Sequence, residues 1–245
     1  MKKPYSNFFY DEFHEQTLAS ARVVVPTVME LLQPASVVDL GCGRGVMLSV
    51  FMKCGVDDVV GIDGPWVDKD TLMIAESSFV TAELAAPVEL GRTFDLAVSL
   101  EVAEHLPQDS ADSFVETLTN LAPAVLFSAA IPYQGGKNHV NEQWPDYWAE
   151  RFEKRSFLTI DCIRKRVWDD DRVVFWYSQN MLLFAREDLV AGSRTLQDEL
   201  ALTNRSMLSF VHPKKYLPSA RVVAKIRDIL PERAQRAVYK RLGKS

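Results

Sequence analysis

Cysteine is scarce in this sequence, and its three copies form no C-x-x-C pair. Isolated cysteines in odd number do not build a disulfide framework, so Cys42, Cys54 and Cys162 are expected to be free thiols in a reducing compartment. Long apolar runs are also missing, since none approaches the ~20 residues that a membrane-spanning helix needs. Residues 1–7 (MKKPYSN) lack the apolar segment of a secretory signal. The sequence therefore predicts a cytoplasmic protein.

Positive charge is in deficit over most of the chain. Residues 1–190 contain 16 Lys and Arg against 29 Asp and Glu, a net charge of −13, whereas residues 191–245 contain 12 against 4, a net charge of +8. An acidic body is poorly suited to a polyanion, so nucleic acid is not expected as a partner. The length of 245 residues fits one α/β domain with additions. We expect a domain at 1–190 and a basic helical extension at 191–245.

Short apolar runs alternate with amphipathic stretches through the acidic part of the chain. Runs that are apolar on both faces are typical of parallel strands covered by helices on each side. The predicted strands are 36–40, 58–62, 78–81, 94–100, 123–129, 157–164 and 179–186, and the predicted helices are 16–32, 45–54, 110–121 and 145–155. This order predicts an α/β fold: a Rossmann-like, doubly wound, mostly parallel sheet with an antiparallel terminal strand, followed by a C-terminal helical extension.

The basic part of the chain lacks the strand pattern. Residues 195–205 are predicted to be helical, 213–218 to be a linker, and 219–242 to be a basic amphipathic helix that Pro231 breaks or kinks. Such a helix can dock on the acidic body of its own domain, on a homodimer partner, or on an anionic membrane surface as a peripheral contact. The opposite charges of the two parts favour docking within the protein.

The segment Val37–Gly45 joins a β-branched run, an acid and three glycines at alternate positions. Glycine at such positions lets the backbone adopt positive φ and lets a ligand approach closely. A second apolar run ends in Asp63 and Gly64, where a carboxylate can bind a ribose diol. The pattern predicts that a nucleoside-containing cofactor binds here. The residues predicted to bind it are Asp39, Gly41, Cys42, Gly43, Asp63 and Gly64.

The glycine spacing bears on which nucleotide binds. Dinucleotide-binding dehydrogenases use G-x-G-x-x-G and hold a pyrophosphate at the helix N-terminus. This chain has G-x-G-x-G, and Asp39 precedes Gly41 by two residues. A carboxylate there repels a pyrophosphate but attracts an ammonium or sulfonium group. The alternatives are that Asp39 only holds the glycine turn and that Asp63 is a solvated strand end.

With these features the sequence resembles the class I S-adenosylmethionine-dependent methyltransferases over roughly residues 35–186. Val37–Gly45 resembles their first motif, Asp63 their ribose-binding acid, and 82–84 the position that contacts adenine. Phe94–Leu106 resembles their fourth strand and its edge, as in the branch that acts on small molecules. The resemblance implies S-adenosyl-L-methionine as cofactor. It adds Glu83, Leu84, Leu100 and Glu101 to the cofactor-binding residues.

Methyl transfer from a sulfonium is a direct displacement, so the protein's main task is to align the nucleophile with the methyl carbon and sulfur. A hydroxyl acceptor also needs a general base, and histidine is the usual one. His105 and His139 follow the predicted fourth and fifth strands, at the edge of the sheet where ligands bind. We predict both to be catalytic, with His139 as the base or an acceptor-binding group. The polar loop at 131–145 supplies the predicted substrate-binding residues Tyr133, Asn141, Glu142 and Trp144.

Structural roles are the alternatives at these positions. His139 can cap a backbone carbonyl within its loop, and His105 can pack against a helix. Glu101 and Glu104 can favour the start of a helix through its dipole. No metal is expected, because the consecutive carboxylates of 169–171 point in different directions and Mg²⁺ needs near-octahedral oxygen geometry.

The combined prediction is an S-adenosylmethionine-dependent methyltransferase that methylates a small molecule or a saccharide at oxygen. The alternatives left open are a non-catalytic protein that binds the cofactor as a sensor or scaffold, and an N-methyltransferase of a small metabolite.

Overall fold

The computed structural model describes the backbone of residues 7–229 and the side chains of residues 14–222 and of Lys225. The strands in this range are β1 (Ser36–Leu40), β2 (Asp58–Asp63), β3 (Phe79–Thr81), β4 (Leu96–Leu100), β5 (Ala124–Ser128), β6 (Phe157–Ile160) and β7 (Leu182–Arg186). They form one sheet in the order β3-β2-β1-β4-β5-β7-β6. The five strands β3-β2-β1-β4-β5 pair with their neighbours in parallel, whereas β7 lies between β5 and β6 and is antiparallel to both. The predicted fold class is confirmed.

The α-helices of the described range lie before, between and after the strands in the sequence. They are α1 (Asn7–Leu32), α2 (Val46–Lys53), α3 (Ala111–Leu121), α4 (Pro145–Glu153), α5 (Arg164–Val167), α6 (Phe175–Asn180), α7 (Glu187–Ala191), α8 (Arg194–Ala201) and α9 (Pro213–Ile229). None of them is both long enough and apolar enough to cross a bilayer within the described residues.

Two apolar cores lie on opposite faces of the sheet. Val37 and Leu96 pack on one face with α1 and α2, while Val38 and Phe127 pack on the other with α3 and α4. Successive residues of a strand point to opposite faces, so a strand covered on both sides must be apolar throughout. This is why the central strands appear in the sequence as uninterrupted apolar runs.

The strand order reverses next to β1, which pairs with β2 on one side and β4 on the other. In open α/β sheets the connections on either side of such a reversal leave in opposite directions and open a crevice at the carboxyl ends of the strands. The glycine turn at 41–45 and the segment after β4 both lie at this edge. The fold therefore brings together the two sequence segments that carry most of the predicted site.

The chain divides into a first compact unit that ends at Phe210 and a second that begins at Val211, whereas the sequence analysis expects a boundary at 190. The buried Arg164 explains why the chain after β7 belongs to the first unit. Its guanidinium donates to both carboxylate oxygens of Asp161, at 2.9 and 2.7 Å, and to the carbonyl oxygens of Gln179 and Leu208, at 3.1 and 2.7 Å. Residues that are distant in sequence thus share one buried donor.

Replacing Arg164 with methionine should lower the free energy of unfolding by about 2 kcal/mol, because it leaves the carbonyl oxygens of Gln179 and Leu208 buried without this donor. Urea unfolding followed by circular dichroism measures the loss. Arg194 makes a comparable ion pair with Asp198 but is exposed, so Arg194→Met should change stability by less than about 0.5 kcal/mol. Equal effects of the two substitutions would contradict this account of Arg164.

The predicted linker at 213–218 is helical, because α9 begins at Pro213. Proline is favoured at the first helical position, where its missing N–H is not needed, and Pro218 is accommodated within the helix. The predicted basic helix at 219–242 is described only as far as Ile229. Pro231 and the rest of that prediction lie outside the described residues.

Candidate active site

The glycine turn after β1 adopts the backbone conformation that the sequence predicts. Gly41, Gly43 and Gly45 have φ values of 86°, 54° and 78°, in the left-handed region that glycine enters without steric cost. A Cβ atom on Gly41 would lie 2.3 Å from a methyl group of Val102. The turn therefore packs directly against the segment that follows β4, with no room for a side chain.

Asp63 holds this turn from the end of β2. One carboxylate oxygen accepts a hydrogen bond from the Gly43 N–H at 2.7 Å, and the other accepts one from the Gly64 N–H at 2.6 Å. The Trp66 ring lies against Gly64, where a Cβ atom would be 2.2 Å from it. Burial raises the pKa of Asp63, and the bonds from Gly43, Gly64 and Trp66 oppose that shift. The role of fastening the turn, considered above for Asp39, is thus performed by Asp63.

Asp39 is the acid that lines the cavity next to this turn. It is 4% exposed at the end of β1. Burial, with a smaller contribution from the charge of Asp63, raises its pKa to about 8. An acid in this state is largely protonated at neutral pH, and a cation placed beside it would favour the carboxylate.

One cavity of about 360 Å³ contains Asp39 together with much of the predicted site. Its volume is in the range of small-molecule sites. Its lining includes the predicted residues Asp39, Gly41, Cys42, Gly43, Leu100, Glu101, His105 and His139. The predicted cofactor residues and the predicted catalytic histidines therefore open onto the same space.

Four predicted cofactor residues lie outside this lining. Asp63 and Gly64 form the bonded end of β2, Glu83 is exposed beyond β3, and Leu84 is buried in the core. Each follows the carboxyl end of a strand, the same edge on which the cavity opens. Their contacts with a nucleoside stay predictions.

Glu101 lies at the end of β4 in a strained conformation with φ of 55°. Its carboxylate accepts hydrogen bonds from the side-chain amides of Gln134, at 2.8 Å, and Asn180, at 3.0 Å. Burial raises the pKa of Glu101, while the bonds from Asn180, Ser128 and Gln134 lower it. These contacts fix the carboxylate at the wall of the cavity.

Glu104 is completely buried one turn further along, which the sequence analysis did not anticipate. The short 3-10 helix Ala103–His105 carries Glu104 in its first turn and buries its side chain. Burial, and next the charge of Glu101, raise its pKa well above the ordinary value. The backbone N–H groups of Glu104 and Ala130 face its carboxylate and lower the pKa, whereas the contact with the side chain of Glu101 raises it. Neither carboxylate oxygen of Glu104 makes a hydrogen bond of good geometry with the described residues.

The two predicted catalytic histidines are neighbours, although 33 residues separate them in the sequence. Their ring centroids are 4.8 Å apart, with the rings almost perpendicular. Burial, with a contribution from His139, lowers the pKa of His105 to about 4, so its imidazole is neutral at pH 7. His139 Nδ1 lies 2.8 Å from a carboxylate oxygen of Glu142, which leaves Nε2 as the nitrogen available for chemistry.

Glu142 holds the loop that carries His139 in place through three contacts. The Glu142 carboxylate accepts the backbone N–H groups of Tyr133, at 2.7 Å, and Gly135, at 2.9 Å, in addition to its contact with His139. Burial raises the pKa of Glu142, but these bonds outweigh it and hold the pKa below the ordinary value. Glu142 is thus a positioning residue for His139.

The structure does not bring the other predicted substrate-binding residues to the cavity wall. Tyr133 is 92% exposed and Trp144 is 41% exposed, while Asn141 is 2% exposed and accepts a bond from Gln143. Sequence reasoning missed several residues that do line the cavity. His14, Thr17, Phe175, Trp176 and Tyr177 lie on α1 and α6, which carry no site motif in the sequence, whereas Gln134 and Lys137 lie in the polar loop at 131–145.

Comparison with known proteins agrees with this geometry. A family model described as "Methyltransferase domain" matches residues 10–171, and no curated protein matches the sequence. The structure is similar to the methyltransferase domain of bacterial CtHen1, with 22% identity and a TM-score of 0.52 over 68% of this chain and 97% of that chain. It is also similar to magnesium protoporphyrin IX methyltransferase from Synechocystis PCC 6803 with bound SAH, with 20% identity and a TM-score of 0.53 over 75% of this chain and 89% of that chain.

The same Synechocystis enzyme with bound SAM gives 21% identity and a TM-score of 0.51. The family match covers more than half of the chain, and the glycine turn, the strand order and the acid at the end of β1 agree with it. The chain belongs to the class I methyltransferases, enzymes that use S-adenosylmethionine.

Proposed function

We propose that this methyltransferase transfers the methyl group to a hydroxyl oxygen of a small molecule or a saccharide. The observation that carries the proposal is the shared cavity, in which Asp39 and the glycine turn lie with the His105–His139 pair. A displacement reaction needs donor and acceptor in one enclosed space, and alignment alone can supply ~7–11 kcal/mol of the barrier.

The donor end of the cavity fits a cationic cofactor. Asp39 is buried and lines the cavity, and the backbone of Gly41 and Gly43 lines it as well. S-adenosylmethionine, when bound, supplies a methyl group on a positively charged sulfur. Asp39 is the residue proposed to attract its positive charge, and the backbone of 41–43 is proposed to contact it.

The remaining lining of the cavity supports a polar, compact acceptor. Lys137 and Thr17 provide hydrogen-bonding groups, and Trp176 and Phe175 provide aromatic rings. This mixture of aromatic surface and a few polar groups is typical of small-molecule sites. The acidic net charge of residues 1–190 argues against a nucleic-acid acceptor.

The reaction assigns a role to His139. The acceptor hydroxyl transfers its proton to Nε2 of His139, whose ring Glu142 orients through Nδ1. The new oxygen–carbon bond forms as the carbon–sulfur bond breaks, and the electron pair of that bond goes to sulfur.

A screen with labelled methyl donor tests the proposal. Purified full-length protein is incubated with methyl-tritiated S-adenosylmethionine and panels of sugars, sugar nucleotides, hydroxylated metabolites and small amines. We expect label in a hydroxylated compound and none with heat-treated protein. Transfer only to amines, or to nucleic acid or protein added in parallel, would overturn the assignment of the acceptor.

A further inference from the structure

We propose that Glu104, His105 and His139 form a binding site for a divalent first-row transition-metal ion. The bound ion also coordinates an oxygen atom of the acceptor, and this role of the ion rests on the proposed function. Each of the three residues offers one ligand atom, and these atoms lie within 4.8 Å of one another. One small ion can therefore contact all three with slight side-chain adjustment. This proposal departs from the expectation, drawn from the sequence, that no metal binds.

The Glu104 carboxylate is the strongest part of the argument. It is 0% exposed, it lies beside the carboxylate of Glu101, and neither of its oxygens makes a hydrogen bond of good geometry with the described residues. A buried acid in that condition costs free energy unless something else satisfies it, and burial of carboxylates is ordinarily accompanied by a positive charge or a metal. Glu104 lines the same cavity as the two histidines, so a cation entering that cavity reaches it directly.

His139 is prepared as a ligand by its surroundings. Its Nδ1 lies 2.8 Å from Glu142, and a carboxylate that accepts the Nδ1–H fixes the tautomer with its lone pair on Nε2. A Cβ atom on Gly136 would lie 2.1 Å from that Nε2. Glycine at 136 thus keeps the ligating nitrogen accessible, while Glu142 orients the ring.

The backbone joins the His139 loop to the segment after β4. The carbonyl oxygen of Glu104 accepts the N–H groups of Val140, at 2.9 Å, and Asn141, at 3.0 Å. These two bonds hold the chain directly after His139 against the residue that supplies the carboxylate. The closeness of the three side chains is therefore a consequence of main-chain pairing and not of side-chain rotation alone.

The donor set indicates which ions fit. Two imidazoles and one carboxylate favour manganese, iron, cobalt, nickel or zinc, whereas magnesium and calcium prefer oxygen ligands throughout. Three protein ligands leave coordination positions open for water or for an acceptor oxygen. An acceptor hydroxyl bound there has a lowered pKa and loses its proton to water. In this state His139 serves as a ligand and not as the base.

Cobalt titration of the chelator-treated, full-length protein tests the site without using activity. We expect one Co²⁺ per chain, detected by its visible absorption with imidazole ligands. Glu104→Gln should weaken Co²⁺ binding by at least about 100-fold, and Glu142→Gln, which removes only the orienting carboxylate, by about 10- to 100-fold. Asp169→Asn is the matched control, because Asp169 is an exposed acid of the 169–171 triplet and should leave binding unchanged.

Circular dichroism and S-adenosylmethionine affinity verify that the variants fold, since Asp39 and the glycine turn are untouched. Equal Co²⁺ binding by the wild type and Glu104→Gln, or loss of binding only in Asp169→Asn, would overturn the site. Methyl transfer that survives complete metal removal would overturn the role in catalysis and leave His139 as the base, with the proposed function intact. Site-specific Co²⁺ binding without any hydroxyl acceptor would instead overturn the proposed function and keep the metal site.

Discussion

Replacing Asp39 with asparagine is expected to weaken S-adenosylmethionine binding by about 100-fold or more. The substitution keeps the size of the side chain and removes the one charge that the cavity wall offers at the end of β1. Removing one partner of a buried charge pair typically costs 2–5 kcal/mol of binding free energy. Isothermal titration calorimetry of the wild type and the variant measures the difference.

Cofactor binding to the wild type is also expected to release a proton. Because the pKa of Asp39 is about 8 in the free protein, the acid is mostly protonated at pH 7 and must ionise when a cation binds beside it. The wild type should therefore release close to one proton per cofactor bound at pH 7, and its affinity should increase as the pH rises towards 8. Titrations in buffers of different ionisation enthalpy report the proton count, which should vanish in Asp39→Asn.

Stability provides the control for folding. A carboxyl whose pKa is raised on folding, here from 3.8 to about 8, contributes stability that is complete below pH 3.8 and is lost as the pH rises through 8. Asp39→Asn should therefore melt at a higher temperature than the wild type at pH 9 without ligand. Asp57→Asn, at an exposed acid, should match the wild type in melting, affinity and proton release. A variant that bound the cofactor normally would contradict the assignment of Asp39.

Replacing His139 with alanine should lower turnover by about two orders of magnitude or more while leaving the affinity for S-adenosylmethionine within about twofold. The imidazole lies with His105 and Glu104 at the lining of the cavity, whereas the glycine turn is the segment proposed to contact the cofactor. The loss is expected whether Nε2 accepts the proton itself or holds a metal ion that lowers the pKa of the acceptor. Steady-state kinetics on the acceptor from the labelled-methyl screen, together with calorimetry, separate the two quantities.

His212→Gln is the matched control for this substitution, since His212 is not among the residues that line the cavity. It should leave kcat unchanged. A His139→Ala enzyme with wild-type kcat would show that the histidine pair is structural, and a large loss of cofactor affinity would show that His139 belongs to the donor part of the site.

The predictable part of the fold is the part governed by local pattern. The predicted runs at 36–40 and 58–62 coincide with β1 and β2 to within one residue, because strands buried on both faces must be apolar throughout. The glycine turn was predictable for a similar reason, since alternating glycines are needed only where the backbone adopts positive φ. These two features located the edge of the sheet and hence the cavity.

The rest of the site depends on tertiary contacts that no local pattern records. The spacing Glu101-x-x-Glu104 is compatible with one turn of an exposed helix, and only the inward 3-10 turn after β4 buries Glu104. Asp63 is expected to face a ribose, and only the structure shows that its two carboxylate oxygens also accept hydrogen bonds from Gly43 and Gly64. Trp176 of α6 enters the cavity because the fold brings that helix to the edge, which a core-like periodicity does not reveal.

The extent of the first compact unit depends on tertiary contacts as well. After β7 the sequence loses its strand pattern and becomes basic, which favoured a break near 190. Arg164 donates to the carbonyl oxygen of Leu208, and the buried Leu196 of α8 joins the core. A single buried arginine 44 residues away in sequence leaves no periodic signal in the segment that it holds.

We propose that the enzyme transfers a methyl group to oxygen within the cavity that Asp39 shares with the His105–His139 pair. Carbon-13 NMR of the product formed from methyl-¹³C-labelled S-adenosylmethionine tests it most directly, because O-methyl and N-methyl carbons have separate chemical shifts. We expect a single O-methyl signal from the wild type and no such signal from Asp39→Asn or His139→Ala. A label found on nitrogen, or an O-methyl signal of wild-type strength from both variants, would contradict it.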